Sequence, residues 1–118
     1  MASPIQTDQL DQAAVQALLD LGGDDLLREL VDLFMADLQP RLDELDRAIT
    51  EGDNIGAANV AHALKGSCLY LGLSALADVS ARMENSQRVN AQQDAHPLLA
   101  ELHRCAESGA AALKELVA

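Results

Sequence analysis

The chain has 118 residues, 49% of them hydrophobic, yet it holds no tryptophan, one tyrosine and one phenylalanine. Leucine and alanine, both strong helix formers, must therefore build the core, and with only three prolines and seven glycines the composition predicts one all-α domain. Eight lysines and arginines against 19 aspartates and glutamates give a formal net charge of −11, which repels phosphate backbones and anionic lipid and argues against nucleic-acid and membrane partners.

In chain order, Thr7 or Asp8 can cap a short first helix reaching about Asp20, which "LGGDD" at 21–25 then breaks. Asp24 or Asp25 opens a long second helix whose apolar stripe is Leu27, Leu30, Phe34, Leu38, Leu42, Leu45 and Ile49, spaced by three or four throughout. Pro40 falls inside that stripe and predicts a kink rather than an end, because the stripe continues in phase. "EGDN" at 51–54 is a stop followed by a new cap. A third helix spans about Ile55 to Leu71, Gly72 ends it, and a fourth runs from about Ser74 to Val89. "NAQQDAH" is a polar connector. Pro97 suits the first turn of a fifth helix with the stripe Leu98, Leu102, Cys105, Gly109, Leu113 and Leu116.

Four substantial helices joined by short connections predict an antiparallel up-and-down four-helix bundle, with the short N-terminal helix as a lid. One bundle can satisfy all the stripes, and the acidic surface disfavours self-association, so a monomer is expected. Residues 1–6 carry no basic stretch leading into an apolar one, and no apolar run approaches the ~20 residues of a membrane span, which predicts a soluble cytoplasmic protein. Cys68 and Cys105 form no CxxC pattern and read as small buried hydrophobes, not as a disulfide or metal site.

The unusual segment is "VAHALKGSCLYLGL" at 60–73, a helix with a histidine, a lysine and a glycine within five positions. Unrolled at ~100° per residue, Ala57, Val60, Leu64, Cys68 and Leu71 share the core sector, and His62 points almost diametrically away. Lys65 and Gly66 lie one turn along on the outer face, which Ile55, Ala58, Leu69 and Leu73 complete. An apolar outer face centred on one histidine reads as a docking surface, and Tyr70 sits at its edge. A glycine inside a helix costs about 1 kcal/mol relative to alanine. Gly66 has two readings: clearance for a partner approaching the ring, or close helix packing.

Imidazole titrates near pH ~6.5, so at neutral pH much of it is neutral and nucleophilic. A phosphoryl group on its outer nitrogen needs a counter-charge, and Lys65 is within reach on the same face. No second acid or base lies next to His62 in the sequence, and no glycine-rich loop cradles a phosphate. A nucleophile with a counter-charge and no further apparatus reads as a relay station.

"AHALKGSCLYLGL" resembles the A-H-x-L-K-G-S-x-x-x-L-G signature of histidine-containing phosphotransfer (HPt) domains, matching it at Ala61, His62, Leu64, Lys65, Gly66, Ser67, Leu71 and Gly72. "LVDLFMADLQPRLDELDRAITEGD" at 30–53 looks like the helix preceding that signature in bacterial members, and "ARMENSQR" at 81–88 looks like the one following it, with Met83 and Glu84 at the usual places. The resemblance covers roughly residues 8–117, which implies a single HPt domain over 1–118. With no kinase ATP-binding or receiver segment beside it, the domain is expected to be free-standing, with excision from a larger hybrid kinase the alternative. It implies phosphorylation of His62, Lys65 beside the phosphoryl group and Gly66 giving clearance. It also implies two partners, the receiver domain of a hybrid sensor histidine kinase and that of a downstream response regulator. The receivers would supply Mg²⁺ and the acidic pocket, so the chain is read as a phosphocarrier needing no cofactor of its own, not as an enzyme.

Two other readings compete with this one. A helical adaptor could bind receivers without carrying phosphate, but the intact His62, Lys65 and Gly66 argue against it. A metal or redox protein would use His62, His96, His103 and the cysteines, but His103 and Cys105 diverge on their helix, which is poor ligand geometry. His96 and His103 are expected to be solvated.

Overall fold

Helix α1 (Gln12–Glu51) starts at Asp11, whose carboxylate accepts a hydrogen bond from the Ala13 amide at 3.0 Å. The computed structural model describes residues 10–118. The caps expected at Thr7 or Asp8 lie outside the described residues, and the first helix begins later than their use would require. The break expected in "LGGDD" falls at Gly23, whose left-handed backbone (φ 68°, ψ −163°) divides α1 into a short arm and a long arm. Pro40 lies inside the long arm, which continues through it. Leu27, Phe34, Leu38, Leu42, Leu45 and Ile49 are buried as the stripe predicts, joined by Val31 and Ala48, while Leu30 is only partly covered.

Gly52 closes α1 with φ 74°, and Asp53 caps α2 (Asn54–Leu71) by accepting from the Gly56 amide at 2.9 Å. A Cβ on Gly56 would stand 2.3 Å from the Asp53 carboxylate, so this glycine is what lets the cap close. Gly72 ends α2, and α3 (Ser74–Arg88) follows within two residues. The expected connector holds a single 3-10 turn, Gln92–Asp94, before α4 (Ala95–Leu116), with Pro97 in the first turn of that helix. Among the described residues no helix is long and apolar enough to cross a membrane.

Side-chain pairs fix the direction of each helix. Arg28 Nη1 donates to the Val117 carbonyl at 2.6 Å while Asp46 meets His103 at 2.8 Å, so α4 descends as α1 rises. Arg41 reaches Ser67 and Arg47 reaches Asp53, which sets α2 antiparallel to α1. The pairs Asn54–Asn90 and His62–Glu84 set α3 antiparallel to α2. Arg82 bonds Glu101 across α3 and α4. Among the described residues, contacts between the four helices run α1–α2–α3–α4 and back to α1, the ring of an up-and-down bundle. Leu45, Leu64, Leu76, Met83, Leu102 and Leu113 fill its centre. The short arm of α1 closes one end as the expected lid: the Asp11 amide donates to the Gly72 carbonyl at 2.8 Å, and Val15 and Leu18 are buried.

The structure corrects several expectations. Ala58 is 1% exposed and Leu73 3% exposed, so neither belongs to an outer face. Ala58 is covered because α2 buries two flanks, one against α1 and one against α3, and a single apolar sector drawn on paper misses the second. Leu73 lies beyond the Gly72 turn, outside the helical phase, and its side chain packs on Gly109 of α4, where an added Cβ would come within 3.1 Å. Val60, placed in the core sector, is only partly buried. His103 is not free in solvent, since its Nε2 pairs with Asp46 Oδ1. Cys68 and Cys105 are buried and free, and burial pushes the Cys68 thiol up to about 12.

Gly72 combines φ 74° with an added Cβ only 2.7 Å from the Asp11 carbonyl oxygen. Gly72→Ala should lower stability by about 1–2 kcal/mol from the left-handed backbone alone, with the Asp11 clash adding to it. Thermal denaturation of the variant measures this, and an unchanged melt would show that the lid carries no such constraint.

Candidate functional site

Ala57, Ala61, Leu64, Cys68 and Leu71 turn one side of α2 into the bundle, which sends His62 outward as its phase predicts. Its side chain is 63% exposed. Small side chains at Ala58 and Ala61 let α3 lie close alongside, and α3 presents Glu84 to the histidine. Both Glu84 oxygens stand near His62 Nδ1, at 3.1 and 3.2 Å. Lys65 Nζ lies 3.4 Å from the same carboxylate, and Arg88 approaches it with Nε at 3.0 Å and Nη2 at 2.9 Å. Glu84 is thus gripped by three side chains and is itself only 14% exposed.

This grip decides the state of the ring. An ionised carboxylate can only accept, so the proton of a neutral His62 sits on Nδ1 and points at Glu84. The lone pair is then on Nε2, the outer nitrogen of an exposed ring. Burial pushes the Glu84 carboxyl up, but the hydrogen bonds of Arg88, His62 and Lys65 outweigh it and hold the group below its ordinary range. One carboxylate against two fixed cations also leaves an excess positive charge beside the imidazole, on a chain whose net charge is −11. An incoming anion meets a local attraction there.

The packing reading of Gly66 finds no support in the fold. A Cβ built on it would meet nothing within 4 Å, so no neighbouring helix of this bundle requires a glycine there. The space it leaves opens outward beside the histidine. Ser67, next to it, accepts a 2.7 Å hydrogen bond from Arg41 of α1, tying the segment to the long arm. Of the residues expected on the outer face, Ile55, Leu69 and Tyr70 are exposed, whereas Ala58 and Leu73 are buried.

Glu84 and Arg88 received no role from the sequence. Local sequence around His62 shows no acid, because the carboxylate arrives from 22 residues away on the next helix. The available signal was their own i,i+4 spacing on α3, which marks a paired face but not what it pairs with.

Because the folded Glu84 value is lowered, its stabilisation is present above pH 4.5, the ordinary value, and is lost as the pH falls through the lowered folded value. Glu84→Gln should therefore melt below wild type at neutral pH, with the gap closing once the pH drops below that folded value. Parallel melts across that range measure it; a gap independent of pH would mean the carboxylate charge is not what holds the cluster.

The sequence profile of the Hpt domain matches residues 29–117, and the chain belongs to that family. Among solved structures it is similar to histidine-containing phosphotransfer protein B (HptB) from Pseudomonas aeruginosa PAO1, with a TM-score of 0.86 and 26% sequence identity over 98% of this chain and 96% of that one. No curated protein matches the chain. Membership gives the chain a histidine phosphotransfer role in two-component phosphorelays.

Proposed function

We propose that this chain carries a phosphoryl group on Nε2 of His62, accepting it from the phosphoaspartate of a sensor kinase's receiver domain and passing it to the receiver aspartate of a response regulator. The observation that carries this reading is the Nδ1 contact with Glu84, which leaves the outer nitrogen as the nucleophile. Attack by Nε2 forms the N–P bond as the acyl-phosphate O–P bond breaks and the aspartate leaves as a carboxylate. The ring becomes a cation, because Nδ1 keeps its proton, and Glu84 stabilises that charge. Lys65 then faces the phosphoryl oxygens with rotatable donors, and Gly66 leaves room for the receiver.

The chain works as a carrier whose chemistry is completed by the partner. In-line transfer depends mainly on positioning and electrostatics, and the receiver brings the Mg²⁺ and the aspartate. We read the protein as a cytoplasmic monomer. A purely adaptor role would leave the orientation of His62 by Glu84 without a purpose.

Incubation with a phosphorylated cognate receiver should label wild type and leave His62→Gln unlabelled, with a label that is acid-labile and base-stable. Equal labelling of the two would sink the assignment to His62.

Leu69 lies two turns from His62 on the exposed side of α2, where either receiver would cover it. Leu69→Glu places a charge in a surface that must desolvate and should cost on the order of 1–3 kcal/mol in binding. Transfer rates at sub-saturating receiver measure the loss in both directions, alongside an unaltered helical melt. Wild-type rates both ways would remove Leu69 from the docking surface.

A further inference from the structure

A cleft of about 400 Å³ opens between the start of α2 and the end of α3, lined by Asn54, Ile55, Ala58, Gln87, Arg88 and Asn90. It lies on the His62 side of the helix pair: Ala58 is one turn before His62, and Arg88 holds the carboxylate that orients the ring. The cleft has an anomaly in its lining. Gln87 is 2% exposed, and its buried Nε2 has no hydrogen-bond partner among the described residues. Its polar neighbours do not share this condition, for Asn54, Asn90 and Gln92 bond one another across the rim.

A buried donor without a partner destabilises a fold, and a methionine or leucine of similar volume would avoid that cost. The amide therefore does nothing for the isolated bundle that an apolar side chain would not do better. Its terminal torsion is soft, so it can turn its donor toward the cleft. Beside it, Arg88 uses Nε and Nη2 on Glu84, and its remaining terminal nitrogen bonds no acceptor among the described residues. Two donors side by side, one of them charged, match a carboxylate, and exposed Ile55 offers an apolar edge to cover it.

We propose that this cleft is a second anchor for the receiver domain docked over His62, taking an aspartate or glutamate side chain of that partner onto Gln87 Nε2 and Arg88. The inference rests on the phosphotransfer reading and adds to it where the partner is held. It makes Gln87 a residue of docking affinity, remote from the transferred group.

The test uses Gln87→Met in the full chain, with three readouts. The first is transfer from the phosphorylated receiver domain that labels wild type fastest, as a function of receiver concentration. The second is labelling of His62 by phosphoramidate, a small donor that releases ammonia and needs no docking. The third is the thermal melt. The expected result is a KM for the receiver raised about tenfold with kcat little changed, unaltered phosphoramidate labelling, and a melting temperature equal to or above wild type. An unchanged KM overturns the anchor. So does a lowered melting temperature with wild-type KM, which would mean that Gln87 holds a structural water, and so does an equal loss with phosphoramidate, which would mean that it shapes the His62 site. If no phosphorylated receiver labels wild type at all, the phosphotransfer reading fails and takes the anchor with it, an outcome distinct from the others.

Discussion

The contact of Glu84 with His62 depends on how closely α2 and α3 approach. The carboxylate and the imidazole sit on different helices, and they reach bonding distance because Ala58 and Ala61 present almost no side chain on the flank of α2 that meets α3. A leucine at either position would hold the helices farther apart, at a contact where interaxial distance follows side-chain size. Glu84 would then lie beyond reach, the Nδ1 proton would lose its partner, and the ring would be free to choose its tautomer. Lys65 and Arg88 would lose their common anchor in the same step. The chemistry at the surface is thus set by a packing decision below it.

The same flank shows what the sequence could and could not say. The stripes of α1 and α4, the Gly52 and Gly72 stops and the outward direction of His62 follow from period, caps and phase, which are local properties. Ala58 was misplaced because alanine is silent about burial, and because a helix between two neighbours has two buried flanks where one apolar moment is drawn. Leu73 was misplaced because the left-handed Gly72 turn resets the phase, so that Leu73 points at Gly109 of α4. Glu84 stood in plain view beside Met83, but its role requires knowing that α3 folds back antiparallel in one particular register. Tertiary register is what a single chain of letters withholds. The same limit applies to Asp46 and His103, which lie 57 positions apart.

The glycines separate structural from external demands. Gly56 and Gly72 are required from within: one makes room for the Asp53 cap, and the other supplies a left-handed turn against the Asp11 backbone. Gly66 is required by nothing among the described residues, and it breaks local helix preference on the exposed side of α2 that carries His62. Local rules that fail without internal compensation are expected at functional positions. Gln87 is the polar counterpart, a buried donor with no hydrogen-bond partner among the described residues.

Electrostatics completes the argument. Most of the acidic surface repels anions, yet on the phosphotransfer reading proposed above a phosphorylated receiver domain has to be admitted at one place. Lys65 and Arg88 bring two positive charges to one point of that surface, and Glu84 neutralises part of them. On the proposed reading, Lys65 exchanges a carboxylate oxygen for a phosphoryl oxygen, one anionic acceptor for another. Lys65, about one-third exposed and 3.4 Å from Glu84, holds its ammonium at the surface where that exchange would take place.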